Sequence, residues 1–205
     1  MKQLLLIFVR NPILGKVKTR LSKTIGDQKA LQVYKCLLGY TKQITDNLLI
    51  DKQVWYADFF NDNDLWNTYQ KRAQVQTQSL GERMNFAFEN GFKDNYQSIG
   101  IIGSDCLELS SSILEIAFKQ LENYDVVIGP AKDGGYYFIG MNKKHHFLFE
   151  NKKWSTDTVF LDTIEDVKNQ GLTYFLLPTL SDIDTEEDLN NIEWLSICRE
   201  IIKKS

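Results

Sequence analysis

The stretch Ser98-Ile99-Gly100-Ile101-Ile102-Gly103-Ser104-Asp105 limits the possible folds more than any other. From Ile99 to Ile102 it has no polar side chain, so it lacks the alternation of a strand with one wet face. A run like this is a strand covered on both faces. It ends by delivering a single carboxylate, Asp105. Leu4–Val9 has the same character and stops before Asn11-Pro12, because Pro12 cannot donate to a ladder.

Shorter strands are expected at Gln53–Ala57, Ala73–Thr77, Asp125–Gly129, Tyr136–Met141 and Thr173–Leu177. Helical spacing occupies residues 27 to 49, with Asp27 as a cap and Ala30, Leu31, Tyr34, Leu37 and Leu38 on one face. Further helices are expected at Asn61–Lys71, at Gly81–Phe92, from Ser110, from Trp154 to about Gln170, and after Asp182–Leu189. Strands alternating with helices predict an α/β fold, a three-layer α/β/α sandwich on a mostly parallel mixed sheet. The short turn before Tyr136 makes that strand antiparallel or bent relative to the one before it. A chain of 205 residues without repeats or linkers suits one domain, residues 1–205.

The net charge of −3 gives no sign of nucleic-acid or acidic-membrane binding. Its distribution is more telling. Residues 1 to 24 carry Lys2, Arg10, Lys16, Lys18, Arg20 and Lys23 and no acid, whereas 182 to 193 carry Asp182, Asp184, Glu186, Glu187, Asp188 and Glu193 and no base. Cys36, Cys106 and Cys198 form no CxxC pair or legible disulfide framework. The first apolar run is too short for a signal peptide or a membrane span. The expectation is a cytoplasmic protein.

Ligands of such sheets bind outside the carboxyl ends of the strands. Gly15-Lys16-Val17-Lys18-Thr19-Arg20 stands there, after the first strand. Gly15 permits close backbone approach, and Lys16, Lys18 and Arg20 suit phosphate oxygens. If the segment is extended, the three cations share a side; if helical, Lys16 and Arg20 stack. It is not a P-loop, since Arg10 and Val17 occupy key positions of GxxxxGK[ST]. Asp105, with Ser104 beside it, suits Mg2+ or Mn2+, which take oxygen ligands. Thr185 and Asp188 read as a helix cap, which leaves Asp182 and Asp184 unexplained. Either one supplies a second carboxylate for a metal. Lys132-Asp133-Gly134-Gly135 is a plain turn or an acceptor contact, with Asp133 orienting the acceptor. Trp154 packs in the core or rests on a ligand, beside Ser155 and Thr156. Arg83, which follows Leu80-Gly81-Glu82, faces either the ligand edge or solvent. Cys106 reads as a small buried residue, without a His partner for nucleophilic work.

Six motifs taken in order resemble a known family. They are Asn11-Pro12 with Gly15–Leu21, Leu80–Met84, Gly103–Cys106, Gly129–Tyr137, Trp154–Thr156 and Asp182–Thr185. The family comprises small bacterial GT-A-type proteins labelled as glycosyltransferases or as a domain of unknown function. It is related to 2-phospho-lactate guanylyltransferase and the molybdenum-cofactor guanylyltransferases. Leu14 and Leu107 stand where that family usually has proline, and Arg10 where lysine is common. The resemblance implies the nucleotide-diphospho-sugar transferase fold. It also implies nucleotide contacts from the first loop and Asp105 and Asp184 as metal ligands.

The implied partners are a nucleoside triphosphate or nucleotide sugar and a small-molecule acceptor. Nucleotidylyl transfer to a phosphorylated acceptor needs charge neutralisation and positioning, which Lys16, Lys18, Arg20 and Asp105 suit. The nucleotide contacts are Arg10, Gly15, Lys16, Arg20, Arg83 and Ser104. The acceptor contacts are Asp133, Gly134, Gly135, Trp154, Ser155 and Thr156. Glycosyl transfer is the competing reaction. A catalytically silent nucleotide- or sugar-binding protein is the non-enzymatic alternative, and it would not need two carboxylates facing one ion.

Overall fold

A computed structural model describes residues 1–59, 63–77 and 79–190. Seven strands form one sheet: β1 Gln3–Val9, β2 Asp51–Tyr56, β3 Gln70–Ala73, β4 Ser98–Ile102, β5 Val126–Pro130, β6 Tyr136–Met141 and β7 Tyr174–Leu176. Their spatial order is β3-β2-β1-β4-β6-β5-β7. β6 is antiparallel to both β4 and β5, and every other pairing is parallel. Five α-helices flank the sheet: α1 Thr19–Ile25, α2 Asp27–Asp46, α3 Leu80–Lys93, α4 Ser111–Gln120 and α5 Val159–Asn169.

The unbroken apolar runs are explained by the layers. On β1, Leu5, Ile7 and Val9 join one core with Val33, Leu37 and Leu38 of α2 and Leu114, Ala117 and Phe118 of α4. Leu4 and Leu6 point the other way, into a second core with Met84, Ala87 and Phe88 of α3 and Ile164 and Val167 of α5. Leu4 through Ile7 are all 0% exposed. Burying each such side chain contributes about 1.5–3 kcal/mol, so a polar residue on either face would be costly. The result is the three-layer α/β/α sandwich on a mixed, mostly parallel sheet.

Four local expectations are corrected. Asp27 is the first residue of α2, and Gly26 holds the cap position without a side-chain bond. Residues 63 to 69 form turns, not the end of a helix from Asn61; residues 60 to 62 lie outside the described residues. The Asp64 carboxylate accepts the Trp66 amide at 2.9 Å, a turn that competes with helix. The strand placed at Ala73–Thr77 lies earlier, at Gln70–Ala73. α5 starts at Val159, well after Trp154, because Ser155 has φ 65° and the Phe160 amide is donated to Gly134. Within the described residues the chain after Asp182 ends in a 3-10 turn, Glu187–Asn190, and the final helix expected after Leu189 lies outside them.

The β1–β4 junction positions the site. β1 leads to β2 on one side, and β4 adds on the other, which makes their carboxyl ends a topological switch point. β5 runs parallel to β1, so the turn joining it to β6 opens at that same edge. After β7 the chain continues past this turn. Leu180 exchanges backbone bonds with Pro130 and Lys132, and the Ile183 amide is donated to the Asp105 carbonyl at 2.9 Å.

Candidate active site

Residues 13 to 20 form neither an extended nor a continuous helical segment. The Lys16 amide closes a turn on Ile13, and Lys18 then takes the left-handed conformation (φ 46°, ψ 47°) as the cap of α1. A residue with a Cβ is rarely held there without compensation. The compensation is visible: this conformation sends the Lys18 side chain inward, where it is 6% exposed. Its ammonium donates to Asp105 Oδ2 at 3.2 Å and to Asp184 Oδ1 at 2.9 Å. Burial alone would lower its pKa, but the fields and hydrogen bonds of Asp105 and Asp184 outweigh that and leave it raised. Arg20 stays largely in solvent, with Nη1 3.7 Å from Asp184.

Asp182 sits behind this group. Its Oδ1 is buried without a hydrogen-bond partner. Burial first, then Asp105 and Asp133, push its carboxyl up to about 8. Asp188 organises the following turn by accepting the amides of Asp184 and Thr185 at 2.9 and 2.7 Å. That arrangement accounts for Asp188 as a structural carboxylate.

Two further cations flank the cleft. Arg83 on α3 donates to Gln74 Oε1 at 3.2 Å, while its Nε is buried with no partner. Burial lowers its pKa, and the nearby Arg10 guanidinium lowers it further, against a pull from Asp58. Tyr34 ties the β1 and β4 ends together. Its hydroxyl accepts the Arg10 amide at 2.9 Å and lies 3.4 Å from Ser104 Oγ. Asp133 accepts the Gly135 amide at 2.9 Å, which makes its turn an Asx turn. Burial pushes the Cys106 thiol well up, so it is no nucleophile.

These groups surround one cleft of about 720 Å3, a volume that suits a nucleotide-sized ligand. Arg10, Lys16, Lys18, Arg20, Arg83, Ser104, Asp105, Asp133, Gly135, Trp154, Ser155, Thr156 and Asp184 all line it. Gly15 and Gly134 do not. Gly134 has φ 88°, and a Cβ there would lie 2.1 Å from the Asp157 carbonyl oxygen, so its role is packing between two turns. Trp154 packs on Gly81 of α3, against the second core, and also lines the cleft. Sequence reasoning missed Tyr34, Gln74, Tyr136 and Asp157. Tyr34 carried a signal, as the hydroxyl on an otherwise apolar helix face, and Tyr136 stood inside the Gly129–Tyr137 motif.

Asp105 and Asp184 fit a divalent cation. The Lys18 ammonium already stands between them as one shared positive charge, and the donors are hard oxygens. Among the described residues no group of three or more His, Cys, Asp or Glu lies at metal spacing. The remaining ligands would be waters and substrate phosphates, as Mg2+ prefers.

Fold and site together define a transferase, nucleotidyltransferase-like, with the nucleotide-diphospho-sugar transferase fold. The chain belongs to the bacterial family described as "Uncharacterized protein conserved in bacteria (DUF2064)", whose profile matches residues 40–156. It is similar to a Desulfovibrio desulfuricans G20 protein described provisionally as a nucleotide-diphospho-sugar transferase. That likeness has 30% identity and a TM-score of 0.84, and it covers 100% of this chain and 98% of the other. It is 25% identical over 194 residues to 2-phospho-L-lactate guanylyltransferase of Methanocaldococcus vulcanius, covering 92% of this chain and 84% of that one. The inositol-1-phosphate CTP transferase of T. maritima shares the fold at 14% identity and a TM-score of 0.62, covering 98% and 96%. No described helix is long and apolar enough to cross a membrane.

Proposed function

We propose that this chain, as one domain over residues 1–205, is a divalent-metal-dependent nucleotidylyltransferase acting on a nucleoside triphosphate and a phosphorylated small acceptor. The observation that carries the reading is the convergence of Asp105 and Asp184 on one cation, Lys18, between flanking basic side chains at a switch point. A binding module would have no need of two carboxylates facing one charge. The guanylyltransferase name of the relatives favours this transfer over glycosyl transfer.

In the reaction, an acceptor phosphate oxygen attacks the α-phosphorus, forming a new P–O bond. The bond from that phosphorus to the bridging oxygen breaks, and pyrophosphate leaves with the electron pair. Lys16 and Arg20 meet triphosphate oxygens at the cleft mouth, and Arg10 and Arg83 draw the nucleotide to the α3 side. Bound Mg2+ or Mn2+ would add charge neutralisation at the phosphates. Asp105 and Asp184 would hold that ion, freeing the Lys18 ammonium to face the substrate. Dependence on a nucleoside triphosphate is consistent with work in the cytoplasm.

Thermal unfolding with Mg2+ or Mn2+ and each nucleoside triphosphate or nucleotide sugar tests the reading, followed by assay of pyrophosphate release. Triphosphates should raise the melting temperature by mass action. Stabilisation by nucleotide sugars alone would replace this reading with glycosyl transfer. No response to any nucleotide would leave a protein that is not a nucleotide-dependent enzyme.

A further inference from the structure

We propose that the acceptor presents a hydroxyl-rich sugar or polyol body behind its phosphate, and that the cleft excludes phosphorylated carboxylic acids. The inference rests on the nucleotidylyl-transfer reading and deepens it. The cleft divides by charge along the sheet. On the β1 side stand the cations of the first loop, Lys16, Lys18 and Arg20, with Arg10 and Arg83. Asp105 ends β4 in the middle. On the far side, next along the sheet, are the β5–β6 turn and the turn before α5, joined where Gly134 packs on Asp157.

The residues lining that far side include no lysine or arginine. They offer two carboxylates, Asp133 and Asp157, with Trp154, Tyr136, Ser155 and Thr156. Lys152 is paired with Asp166, and Lys132 and Lys153 flank the turns without lining the cleft. Asp133 commits one oxygen to the Gly135 amide. Asp157 makes no side-chain hydrogen bond or ion pair with a described residue. The Tyr136 hydroxyl is buried with no hydrogen-bond partner.

This is chemistry for hydroxyl groups. Carboxylates accept hydrogen bonds from neighbouring hydroxyls, and the indole offers an apolar face to a ring's C–H bonds. The phosphate of such an acceptor lies toward the cations, and its body lies on the acidic side. A carboxylate in the same place would face two like charges, while the cations of the cleft stand with the first loop and α3 and hold the phosphate. That arrangement rejects a competitor as effectively as it selects a partner.

The test uses the full chain with Mg2+ and the nucleoside triphosphate that binds best. Pyrophosphate release is compared for glucose 1-phosphate and glycerol 3-phosphate against 2-phospholactate and 3-phosphoglycerate. The hydroxylated acceptors should have kcat/KM at least about 10-fold higher. Asp133→Asn and Asp157→Asn should raise KM for the better hydroxylated acceptor by about 10-fold and narrow the discrimination against the acids. Asparagine retains the Asx turn at position 133, and nucleotide affinity by calorimetry should not change, which separates an acceptor effect from damage to the fold. Equal or better use of the phosphorylated acids overturns the proposal while leaving nucleotidylyl transfer intact. Release with none of the four, or discrimination untouched by both substitutions, overturns it as well. Failure of the wild type to bind any triphosphate would remove the reading on which it rests.

Discussion

Lys18 and Asp184 stand 166 positions apart in the chain and meet at 2.9 Å, with Asp105 3.2 Å away on the other side of the same ammonium. The contact depends on a left-handed residue at one end and on a backbone bond from Ile183 to Asp105 at the other. It makes Lys18 the resident cation of the two carboxylates.

Replacing Lys18 with methionine therefore removes the ammonium that Asp105 and Asp184 share, leaving the largely exposed Arg20 guanidinium, 3.7 Å from Asp184, as partial compensation. Both carboxylates are about two-fifths exposed, so solvent screens part of the penalty. The expected loss of stability is about 1–2 kcal/mol without metal. Mn2+ should restore more melting temperature in K18M than in the wild type, since it no longer competes with the ammonium. Equal Mn2+ responses in the two proteins would mean that the ion binds elsewhere.

Asp182 sets a pH dependence. Its carboxyl is pushed up to about 8 from the ordinary 3.8, first by burial and then by Asp105 and Asp133. The folded state thus holds this proton more tightly than the unfolded chain. The associated stability is fully present below pH 3.8, falls as pH rises, and is gone above about 8. Melting temperatures in chelator should therefore drop more between pH 5 and 8 for the wild type than for Asp182→Asn, measured with the same buffers and salt. A parallel pH profile for the variant would show that Asp182 ionises normally.

Arg83 and Arg10 both line the cleft and repel each other, an arrangement that a bound anion relieves. Arg83→Met should weaken triphosphate binding by about 10-fold or more, the cost of one or two charge-assisted hydrogen bonds. Without nucleotide the folded state should lose about 1 kcal/mol or less, because the end of the repulsion from Arg10 partly offsets the lost bond to buried Gln74. Calorimetric titration of nucleotide into both proteins decides it. Unchanged affinity would make Arg83 a partner of Gln74 and nothing more.

Gly134→Ala should be the costliest single change among the site loops. The position has φ 88°, and the added carbon would lie 2.1 Å from the Asp157 carbonyl oxygen, a backbone atom that cannot swing aside. A loss of about 3 kcal/mol or more is expected, read as a lower urea midpoint. A near-neutral result would show that the 154–158 turn relaxes freely away from β5–β6.

Much of the scaffold was legible because burial on both sheet faces forces unbroken apolar runs, which mark β1, β4 and β6 closely. The capped start of α4 was legible too, because Ser110 accepts the Ile113 amide as a local cap does. The segment after residue 60 was misread because Trp66 and Tyr69 lie at helical spacing. They are instead buried on an Asp64-centred turn, and spacing cannot distinguish the two. The late start of α5 was hidden for a similar reason, since it is decided by Phe160 bonding to Gly134, a contact distant in sequence.

The sequence by itself determined which side chains could act: a basic loop after one strand, a lone aspartate after another, and two acids without a structural task. It left open whether Asp182 or Asp184 would face Asp105, and whether Lys16, Lys18 and Arg20 would point together. Only the tertiary structure decided those questions. Alternation on a strand or helix is a local property, whereas the direction of Lys18 depends on its left-handed backbone, and the placement of Asp184 depends on the Ile183 amide bonding to the Asp105 carbonyl, 78 residues earlier, beyond the carboxyl end of β4. The same folding packed Gly134 on the Asp157 backbone and so brought Asp133 and Asp157 to line one cleft, which no spacing in the chain discloses.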